Sequence, residues 1–418
     1  MAAAASAILL LAGTAAADPL LAAAGDIACT PGATSDGTHC QQLQTANLAL
    51  ASHPDAVAIL GDNQYESGSL AEFTGSFDPT WGRFRSLIRP VPGNHEYQTA
   101  GAAGYFGYFG AAAGSSSTPY YSYDLGKWHL LALNSNCGDA PSECGNFLKG
   151  RVSSDEVAWL ESDLNAHPGV CTLAYWHHPL FGSGSVGSSP RVQLLWNVLF
   201  QHRGDVVLNG HQHDYERFGL QNPVGQATPL GLREFVVGTG GDDHHLVSGS
   251  RAANSQFYDG DDFGVLLLRL HESSYDWAFE RVDGVALDSG SSPCHSQARL
   301  RMILASRSIT VRGSSALVPV RCQPASRERG AGALLLSWHV GGAGNGRLRA
   351  LARRSFSIQC GSPKVVAMKL PSDALRSLRR RPGHGLPVMV SLVAAPTQIR
   401  PTTPRRPAVL RLAAVPRA

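Results

Sequence analysis

The chain has 418 residues and a formal net charge of +3 at pH 7; 43% of its residues are hydrophobic and 16% are charged. This composition is typical of a globular protein of two or three domains, and it excludes wholesale disorder. After the N-terminal segment, no stretch reaches the roughly 18 apolar residues that a membrane-spanning helix requires, so we expect no membrane span.

The N-terminal segment 1–17, MAAAASAILLLAGTAAA, predicts an export signal. It is apolar and ends in small residues that are typical of a cleavage site. It lacks the basic residue that usually precedes the apolar stretch, and an ordinary apolar strand or helix is the alternative. With an export signal, the mature chain would begin near Asp18, and the protein would be secreted or associated with the cell envelope.

Short apolar runs alternate with helix-like segments through residues 18–296, which we interpret as one α/β domain. Ser153 and Glu156 have the spacing of a capping box at the start of one helix. Gly204 is a stop signal at the end of another. The predicted strands are 20–28, 55–60, 127–135, 170–176, 205–210, 233–238, 264–270 and 275–281, and the predicted helices are 41–52, 81–88, 153–164 and 191–204.

The segment 288–297, DSGSSPCHSQ, predicts a domain boundary because it is rich in Gly, Ser and Pro. Beyond it, short apolar strands recur at regular spacing, with one helical stretch at 372–381, which favours a small β-sandwich over 297–418. We expect the Pro-, Thr- and Arg-rich end after Pro396 to be frayed.

The segment from Gln297 onward is strongly basic, with 20 Arg and 2 Lys against 1 Glu and 1 Asp, whereas the preceding residues are acidic on balance. A basic domain can attach to an anionic surface such as a cell-wall polymer. Its arginines are scattered and do not form one motif, which favours a bias in composition. Nothing in the sequence predicts a specific nucleic-acid partner.

The eight cysteines are an even number and contain no CxxC, which favours disulfides over a zinc site. Two pairs flank short loops, a third pair lies in the last third of the chain, and two cysteines are left over. The pairs are Cys29 with Cys40, Cys137 with Cys144, Cys322 with Cys360, and Cys171 with Cys294, although the sequence leaves other connectivities open.

Polar clusters follow five of the apolar runs. Alone, each could be a helix cap or a turn, but five in one domain indicate a common site. Oxygen and imidazole donors together suit iron, zinc or manganese, and their number fits two ions. The clusters are GDIA with Asp26, GDNQY with Asp62 and Tyr65, GNHE with Asn94 and His95, HHP with His177 and His178, and GHQH with His211 and His213.

The chain contains, in this order, the motifs GD, GDxxY, GNHE, HxP and GHxHxYER. This set resembles the motifs of the calcineurin-like metallophosphoesterases, and within them those of the purple acid phosphatases. The resemblance covers about residues 20–295. It implies a four-layer α/β/β/α sandwich around a two-metal centre, followed here by the small β-sandwich-like domain. It also implies a secreted phosphatase that hydrolyses phosphate monoesters by attack of a metal-bound hydroxide.

The resemblance implies a role for each polar residue. Tyr65 would bind as a phenolate, which suits Fe(III), and the second ion would be zinc, iron or manganese. His95 would stabilise or protonate the reacting phosphate ester, and His178, beside the ligand His177, would be a second catalytic residue in the pocket. Metal one would be held by Asp26, Asp62, Tyr65 and His213, and metal two by Asp62, Asn94, His177 and His211.

Two departures from the family pattern matter. Ala28 stands where these phosphatases usually have glycine. The histidine that they usually have about ten residues after the HxP motif is absent, and the region 181–189 reads FGSGSVGSS. A pH optimum nearer neutral or alkaline would follow. The alternatives are a phosphodiesterase or nucleotidase with the same centre, and a surface-binding protein without catalysis.

Overall fold

The computed structural model describes residues 17–140, 143–145, 152–244, 250–295, 301–304, 306, 308–323, 329–340, 347–359, 363–380, 386–394 and 406–412. The chain divides into two compact units, 1–295 and 296–418. Apart from Ala17, the predicted export signal lies outside the described residues.

The first unit is built from short strands and helices that alternate along the chain. The strands are β1 (Leu20–Ala24), β2 (Ala56–Leu60), β3 (Ile88–Val91), β4 (Tyr121–Leu125), β5 (Trp128–Ala132), β6 (Cys171–Tyr175), β7 (Val206–Asn209), β8 (Tyr215–Phe218), β9 (Arg233–Val237), β10 (Ser255–Asp259), β11 (Gly264–Leu270), β12 (Ser274–Arg281) and β13 (Ala286–Pro293). The helices are α1 (Gln42–Ala51), α2 (Leu70–Glu72), α3 (Ala103–Phe109), α4 (Ser154–Ala166) and α5 (Gln193–Gln201).

These strands form two sheets. The first has the order β13-β12-β11-β1-β2-β3, and the second has the order β10-β8-β9-β7-β6-β5-β4. In the first sheet β1, β2 and β3 are parallel, and in the second β5, β6, β7 and β9 are parallel. Parallel strands end at the same edge of a sheet, so the loops after them converge.

The two sheets pack face to face, with helices on both outer faces. On β1, Leu21 and Ala23 point into the core between the sheets, where Leu173 of β6 lies. Ala22 and Ala24 point outward into a second core shared with α1 and α3. The outer face of the second sheet packs on α4 and α5 in a third core. The alternation of side chains along each strand therefore produces the predicted four layers, α/β/β/α.

Several local predictions need correction. The predicted helix 81–88 is a 3-10 turn over Trp81–Leu87 that leads into β3. The two units divide after His295, inside the predicted boundary segment 288–297, but the residues of this segment through Pro293 belong to β13 and pair with β12. Gly and Ser do not exclude an edge strand when a neighbouring strand supplies the hydrogen bonds.

The predicted capping box of α4 is half correct. The Ser153 hydroxyl accepts a hydrogen bond from the Glu156 amide at 3.2 Å. The Glu156 carboxylate, however, accepts from the amide of Asn134 at 2.7 Å. Tertiary packing thus uses this buried side chain to join α4 to the end of β5.

Three of the proposed cysteine pairs are disulfides in the structure: Cys29–Cys40, Cys137–Cys144 and Cys171–Cys294. Each lies in the first unit, and the last one ties β6 to the segment after β13. Cys360, and with it the fourth pair, lies outside the described residues.

The second unit is rich in β-structure, as predicted. Its strands are β14 (Arg301–Leu304), β15 (Ser308–Arg312), β16 (Ser315–Gln323), β17 (Arg329–Val340), β18 (Arg347–Gln359), β19 (Pro363–Lys369), β20 (Leu386–Ala394) and β21 (Arg406–Leu412), with one helix, α6 (Ser372–Arg379). They form a sheet of order β14-β16-β15-β21-β20-β17-β18, and β19 pairs with β16. Ala374 and Leu378 of α6 belong to its core.

The expectation of a frayed end after Pro396 is wrong for β21, which pairs with both β15 and β20. The backbone of β21 pairs with both neighbouring strands, whereas the Arg and Pro content of the segment hides this strand in the sequence. Residues 395–405 and 413–418 lie outside the described residues. In the part of the chain that the structure describes, no helix has the length and apolar character needed to cross a membrane.

Candidate metal centre

The polar residues predicted from the sequence follow the parallel strands of both sheets. Asp26 follows β1, Asp62 follows β2 and Asn94 follows β3, while His177 follows β6 and His211 follows β7. The two sheets face each other, so the edges where these strands end bring the five loops together.

The backbone at this edge is unusual. Asp26, Asp62 and His211 have φ angles of 58°, 45° and 72°, in the left-handed region that residues other than glycine rarely adopt. Such conformations cluster at functional sites, where the surrounding structure holds them. Gly61, with φ of 87°, allows close approach, since a Cβ there would lie 2.6 Å from Nδ1 of His177.

The first group of donors surrounds the hydroxyl of Tyr65. This oxygen lies 3.0 Å from Oδ1 of Asp26, 3.0 Å from Nε2 of His213 and 3.5 Å from Oδ2 of Asp62. The Asp26 oxygen and the His213 nitrogen are themselves 3.3 Å apart. Metal–ligand bonds of about 2.0–2.2 Å place neighbouring ligands at such separations.

The second group of donors surrounds Nε2 of His177. This nitrogen lies 3.1 Å from Oδ2 of Asp62, 3.0 Å from Oδ1 of Asn94 and 3.2 Å from Nδ1 of His211. Oδ2 of Asp62 therefore belongs to both groups. A carboxylate in this position can bridge two cations.

The chemistry of these seven side chains fits two metal ions. The histidines present one nitrogen to the donor groups, and two of them have the other nitrogen fixed from behind. Nδ1 of His177 donates to the Leu60 carbonyl at 3.0 Å, and Nδ1 of His213 is hydrogen-bonded to the Asp243 carboxylate. Such outer partners set the tautomer and the orientation of a metal-binding imidazole.

The electrostatics of the buried donors also favour cations. Burial raises the pKa of the Tyr65 phenol well above its usual value, and the Asp26 and Asp62 carboxylates raise it further. Burial lowers the pKa of His177, but the Asp62 charge outweighs it and raises that pKa to about 9. Burial disfavours the charged form of Asp62, yet His177 and His95 lower its pKa below the usual range. A cation would relieve this crowding of acidic donors.

His95 lies at the rim of the donor groups. Its Nδ1 donates to the Glu66 carbonyl at 2.6 Å, which leaves Nε2 facing inward at 3.9 Å from Oδ2 of Asp62. Its ring packs on Tyr65 with the centroids 4.4 Å apart, and its side chain is 22% exposed. This position suits a group that contacts a substrate.

His178 is buried behind the centre. Its Nδ1 and the Ser135 hydroxyl are 2.8 Å apart, and its ring lies 4.4 Å from the ring of His211. Its Nε2 has no hydrogen-bond partner among the described residues. Burial, together with His211 and His177, lowers the pKa of His178 well below its usual value. Its catalytic role remains a prediction. In the structure, its neutral imidazole packs against the ring of His211.

Two further residues of the site were not predicted. Glu96, the last residue of GNHE, has a buried carboxylate that accepts hydrogen bonds from the loops of Asp62 and Asn94. Its pKa is raised to about 7 by burial and by the Asp62 charge. Asp243, which orients His213, lies in the glycine-rich stretch GTGGDDHH. Both were visible as acidic residues beside motifs, but the sequence does not show which backbone or ring they contact.

The region 181–189, where the family pattern has a further histidine, is held by buried side chains from the segment that follows β7. The Glu216 carboxylate accepts from the Ser183 amide at 2.8 Å and from its hydroxyl at 2.5 Å. The Gln212 amide donates to the Gly187 carbonyl at 2.6 Å and accepts from the Val186 amide at 3.2 Å. These small, uncharged residues contribute no proton donor of the imidazole type.

Comparison with known proteins agrees with this geometry. Residues 22–215 match the family model described as calcineurin-like phosphoesterase. Purple acid phosphatase 15 of Arabidopsis thaliana is 26% identical over 258 residues, which cover 53% of this chain and 44% of that protein. Purple acid phosphatase 23 of the same plant is 27% identical over 261 residues, covering 53% and 52%. The chain thus spans about half the length of these curated relatives.

Solved structures share the fold. The purple acid phosphatase PPD1 from yellow lupin (Lupinus luteus) superposes with a TM-score of 0.56 at 20% identity, covering 66% of this chain and 53% of that one. GAP50, the anchor in the inner membrane complex of Plasmodium, gives a TM-score of 0.50 at 13% identity, covering 67% and 90%. At these identities, the likeness concerns the fold alone.

Proposed function

We propose that the protein is a secreted, purple acid phosphatase-like member of the calcineurin-like phosphoesterases that hydrolyses phosphate monoesters. The observation that carries the proposal is the shared position of Oδ2 of Asp62. It lies 3.5 Å from the Tyr65 hydroxyl in one donor group and 3.1 Å from Nε2 of His177 in the other.

Asp62 would bridge the two ions, and six further side chains on five loops would supply the other protein ligands. Asp26, Tyr65 and His213 would hold one ion, and Asn94, His177 and His211 the other. Bound together, the ions would neutralise the phosphoryl oxygens and activate water for in-line displacement. A phenolate from Tyr65 favours Fe(III) at the first position, and zinc, iron or manganese suits the second.

His95 would act on the substrate directly. Its Nδ1–H is engaged by the Glu66 carbonyl at 2.6 Å, so its inward Nε2 carries the variable proton. In the protonated form, this nitrogen can donate to a phosphoryl oxygen or to the leaving oxygen. No imidazole in 181–189 shares this task, so the rate of hydrolysis should depend strongly on how good the leaving group is.

A phosphodiesterase or nucleotidase with the same centre is the second candidate. The observation in its favour is the region 181–189, where small residues stand in place of the histidine of the family pattern. The test is turnover of nitrophenyl phosphate and of bis(nitrophenyl) phosphate from pH 4 to pH 9, with Asn94→Ala as the inactive reference. We expect a preference for the monoester. A preference for the diester would assign the second function, and no turnover of either would favour a surface-binding protein.

Export is part of the proposal. Three disulfides lie in the first unit, and disulfides persist in oxidising compartments outside the cytosol. Expression of the whole chain in a bacterium with a periplasm tests this point. We expect the exported protein to begin near Asp18 on N-terminal sequencing, whereas an intact Met1 on cytosolic protein would contradict it.

The second unit would contact an anionic polymer such as cell-wall material. Arg353 and Arg354 of β18 and Arg376 and Arg379 of α6 are exposed, which suits salt-dependent attraction to a polyanion. The full-length protein should sediment with cell-wall material at low salt and be released at high salt, and replacing these four arginines with glutamine should weaken retention. If the variant and the wild type were retained equally, the second unit would not bind the polymer through these arginines, and a spacer role would be favoured.

A further inference from the structure

Two loops that each carry a proposed metal ligand meet without space between them. One follows β2 and contains Asp62, and the other follows β3 and contains Asn94. At their contact, a Cβ on Gly93 would lie 2.1 Å from Oδ1 of Asp62 and 2.2 Å from its backbone nitrogen. Only a glycine fits there, so the relative position of the loops is fixed within narrow limits.

The carboxylate of Glu96 joins these loops. Its Oε1 accepts from the backbone amides of Asn63 at 2.8 Å and Gln64 at 3.2 Å. Its Oε2 accepts from the amides of Asp62 at 3.1 Å and Gly93 at 2.6 Å. Four backbone N–H groups, three from one loop and one from the other, thus converge on one fully buried side chain.

The connection is reciprocal. Oδ1 of Asp62 accepts from the backbone amide of His95 at 2.8 Å, while the amide of Asp62 donates to Glu96. The side chain of each loop is therefore bonded to the backbone of the other. This exchange holds Asp62 in its left-handed backbone conformation, with φ of 45°, and leaves Oδ2 directed at the two donor groups.

We infer that Glu96 is a positioning residue whose carboxylate fixes the Asp62 and Asn94 loops relative to each other and thereby preforms the site for both metal ions. Among the described residues, the hydrogen bonds of the Glu96 carboxylate go to backbone amides and not to a proposed metal donor atom. The inference rests on the proposed function only in that Asp62 and Asn94 hold metal. The ion that Asp62 and Asn94 share should lose the most affinity when this connection is weakened.

Glu96→Gln tests the inference with little change in volume. A glutamine side chain has one acceptor oxygen and one NH₂ group, so one of the two pairs of backbone N–H groups would face a donor. The metal-free protein would be titrated with Zn²⁺ by calorimetry, and the bound zinc would be counted after gel filtration. We expect at least one of the two Zn²⁺ equivalents to bind about 10- to 100-fold more weakly than in the wild type.

Glu156→Gln is the matched control. Glu156 is equally buried, at 1% exposure, but it accepts from a single backbone amide, that of Asn134 at 2.7 Å. We expect this variant to unfold at a lower temperature yet to bind two Zn²⁺ with wild-type affinity. Equal losses of zinc affinity in both variants would reduce the role of Glu96 to general core stability and overturn the inference.

Glu96→Asp covers the case in which Glu96→Gln does not fold, since it keeps the carboxylate but withdraws it by one methylene. An intermediate loss of zinc affinity, with native near-UV circular dichroism, is the expected result. Two Zn²⁺ bound at wild-type affinity by either Glu96 variant would contradict the inference. A wild type that binds two Zn²⁺ but hydrolyses no ester would defeat the proposed phosphatase and leave the inference intact.

Discussion

The two sheets of the first unit contribute different halves of the candidate centre. The loops after β1, β2 and β3 supply oxygen donors from Asp26, Asp62, Tyr65 and Asn94, whereas the loops after β6 and β7 supply only imidazoles, from His177, His211 and His213. Neither sheet alone holds a complete donor group. The site therefore exists only where the sheets pack together, so fold stability and metal binding should be coupled.

Asp62 is the oxygen donor that belongs to both donor groups. Its replacement should therefore have the largest effect on activity. Asp62→Asn keeps the size of the side chain but removes the charge that can bridge two cations. We expect kcat on nitrophenyl phosphate to fall more than about 1,000-fold, with loss of bound metal. Metal analysis and steady-state kinetics measure the two effects.

Asp205→Asn is the matched control for Asp62. Asp205 is also buried, but it precedes β7, at the opposite end of the strand, and accepts from the Thr172 amide at 2.8 Å. This variant should lose stability and retain kcat. If both variants lost activity to the same extent, the effect would be one of folding and not of the centre.

Tyr65→Phe separates the two donor groups, because the Tyr65 hydroxyl belongs to only one of them. We expect a loss of about 100-fold in kcat, equivalent to about 2.7 kcal/mol, and the disappearance of any visible charge-transfer band of an iron-loaded protein. Tyr105→Phe removes another buried hydroxyl, one without a hydrogen-bond partner among the described residues, and should leave the spectrum unchanged. A colourless, iron-free wild type that is fully active would refute the Fe(III) assignment.

Asp243→Asn tests the hydrogen bond that orients His213, one of the imidazole donors. Without the carboxylate, Nδ1 of His213 loses a charged partner, and metal binding at the Tyr65 group should weaken about 10-fold. The exposed Asp36, which accepts from the Thr38 amide at 3.0 Å, provides the control Asp36→Asn. Wild-type affinity in Asp243→Asn would show that His213 needs no outer partner.

The smallest effect on the centre is expected from a pH dependence of stability that lies outside it. Nδ1 of the buried His129 is 2.8 Å from Asp124, and its Nε2 is 2.6 Å from Asp163. Burial alone would lower the pKa of His129, but hydrogen bonds and charges from these carboxylates raise it above its ordinary value. The imidazolium therefore stabilises the fold fully below about pH 6.5, and this contribution is lost as the pH rises through the raised pKa.

Urea unfolding at pH 6 and pH 9 measures this contribution. The wild type should lose about 2 kcal/mol more than His129→Gln over that interval, the scale of a charged hydrogen bond, while the metal content stays the same. If the two proteins lost equal stability between the two pH values, His129 would not be charged in the folded protein.

The clustering of the candidate donor residues could be predicted from the sequence because most of them lie in polar motifs that follow short apolar strands. The chain itself brings Asp26, Asp62 and His177 to the ends of parallel strands, and residue type then limits the chemistry. Glu96 and Asp243 could not be predicted, since their roles depend on backbone amides and rings that only the packed loops bring near.

The overall fold could likewise be predicted only in part from the sequence. The α/β class was predictable from strand–helix alternation, the four layers from the resemblance to the metallophosphoesterases, and the first two cysteine pairs from the short loops that they flank. Two strands with weak sequence signals were missed: β3 contains Pro90 and has only four residues, and half of the residues of β13 are Ser or Gly. These segments become strands because a neighbouring strand pairs with them, which local propensity does not record.

Turnover as a function of bound metal tests the central claim most directly. Metal-free protein would receive increasing equivalents of Zn²⁺, in one series alone and in another after loading with one equivalent of iron, and nitrophenyl phosphate hydrolysis would be followed at each step. We predict little activity up to one metal equivalent and a rise to a plateau at two. Full activity at one equivalent, or activity that persists in the metal-free protein, would contradict a centre built jointly by the two sheets around two ions.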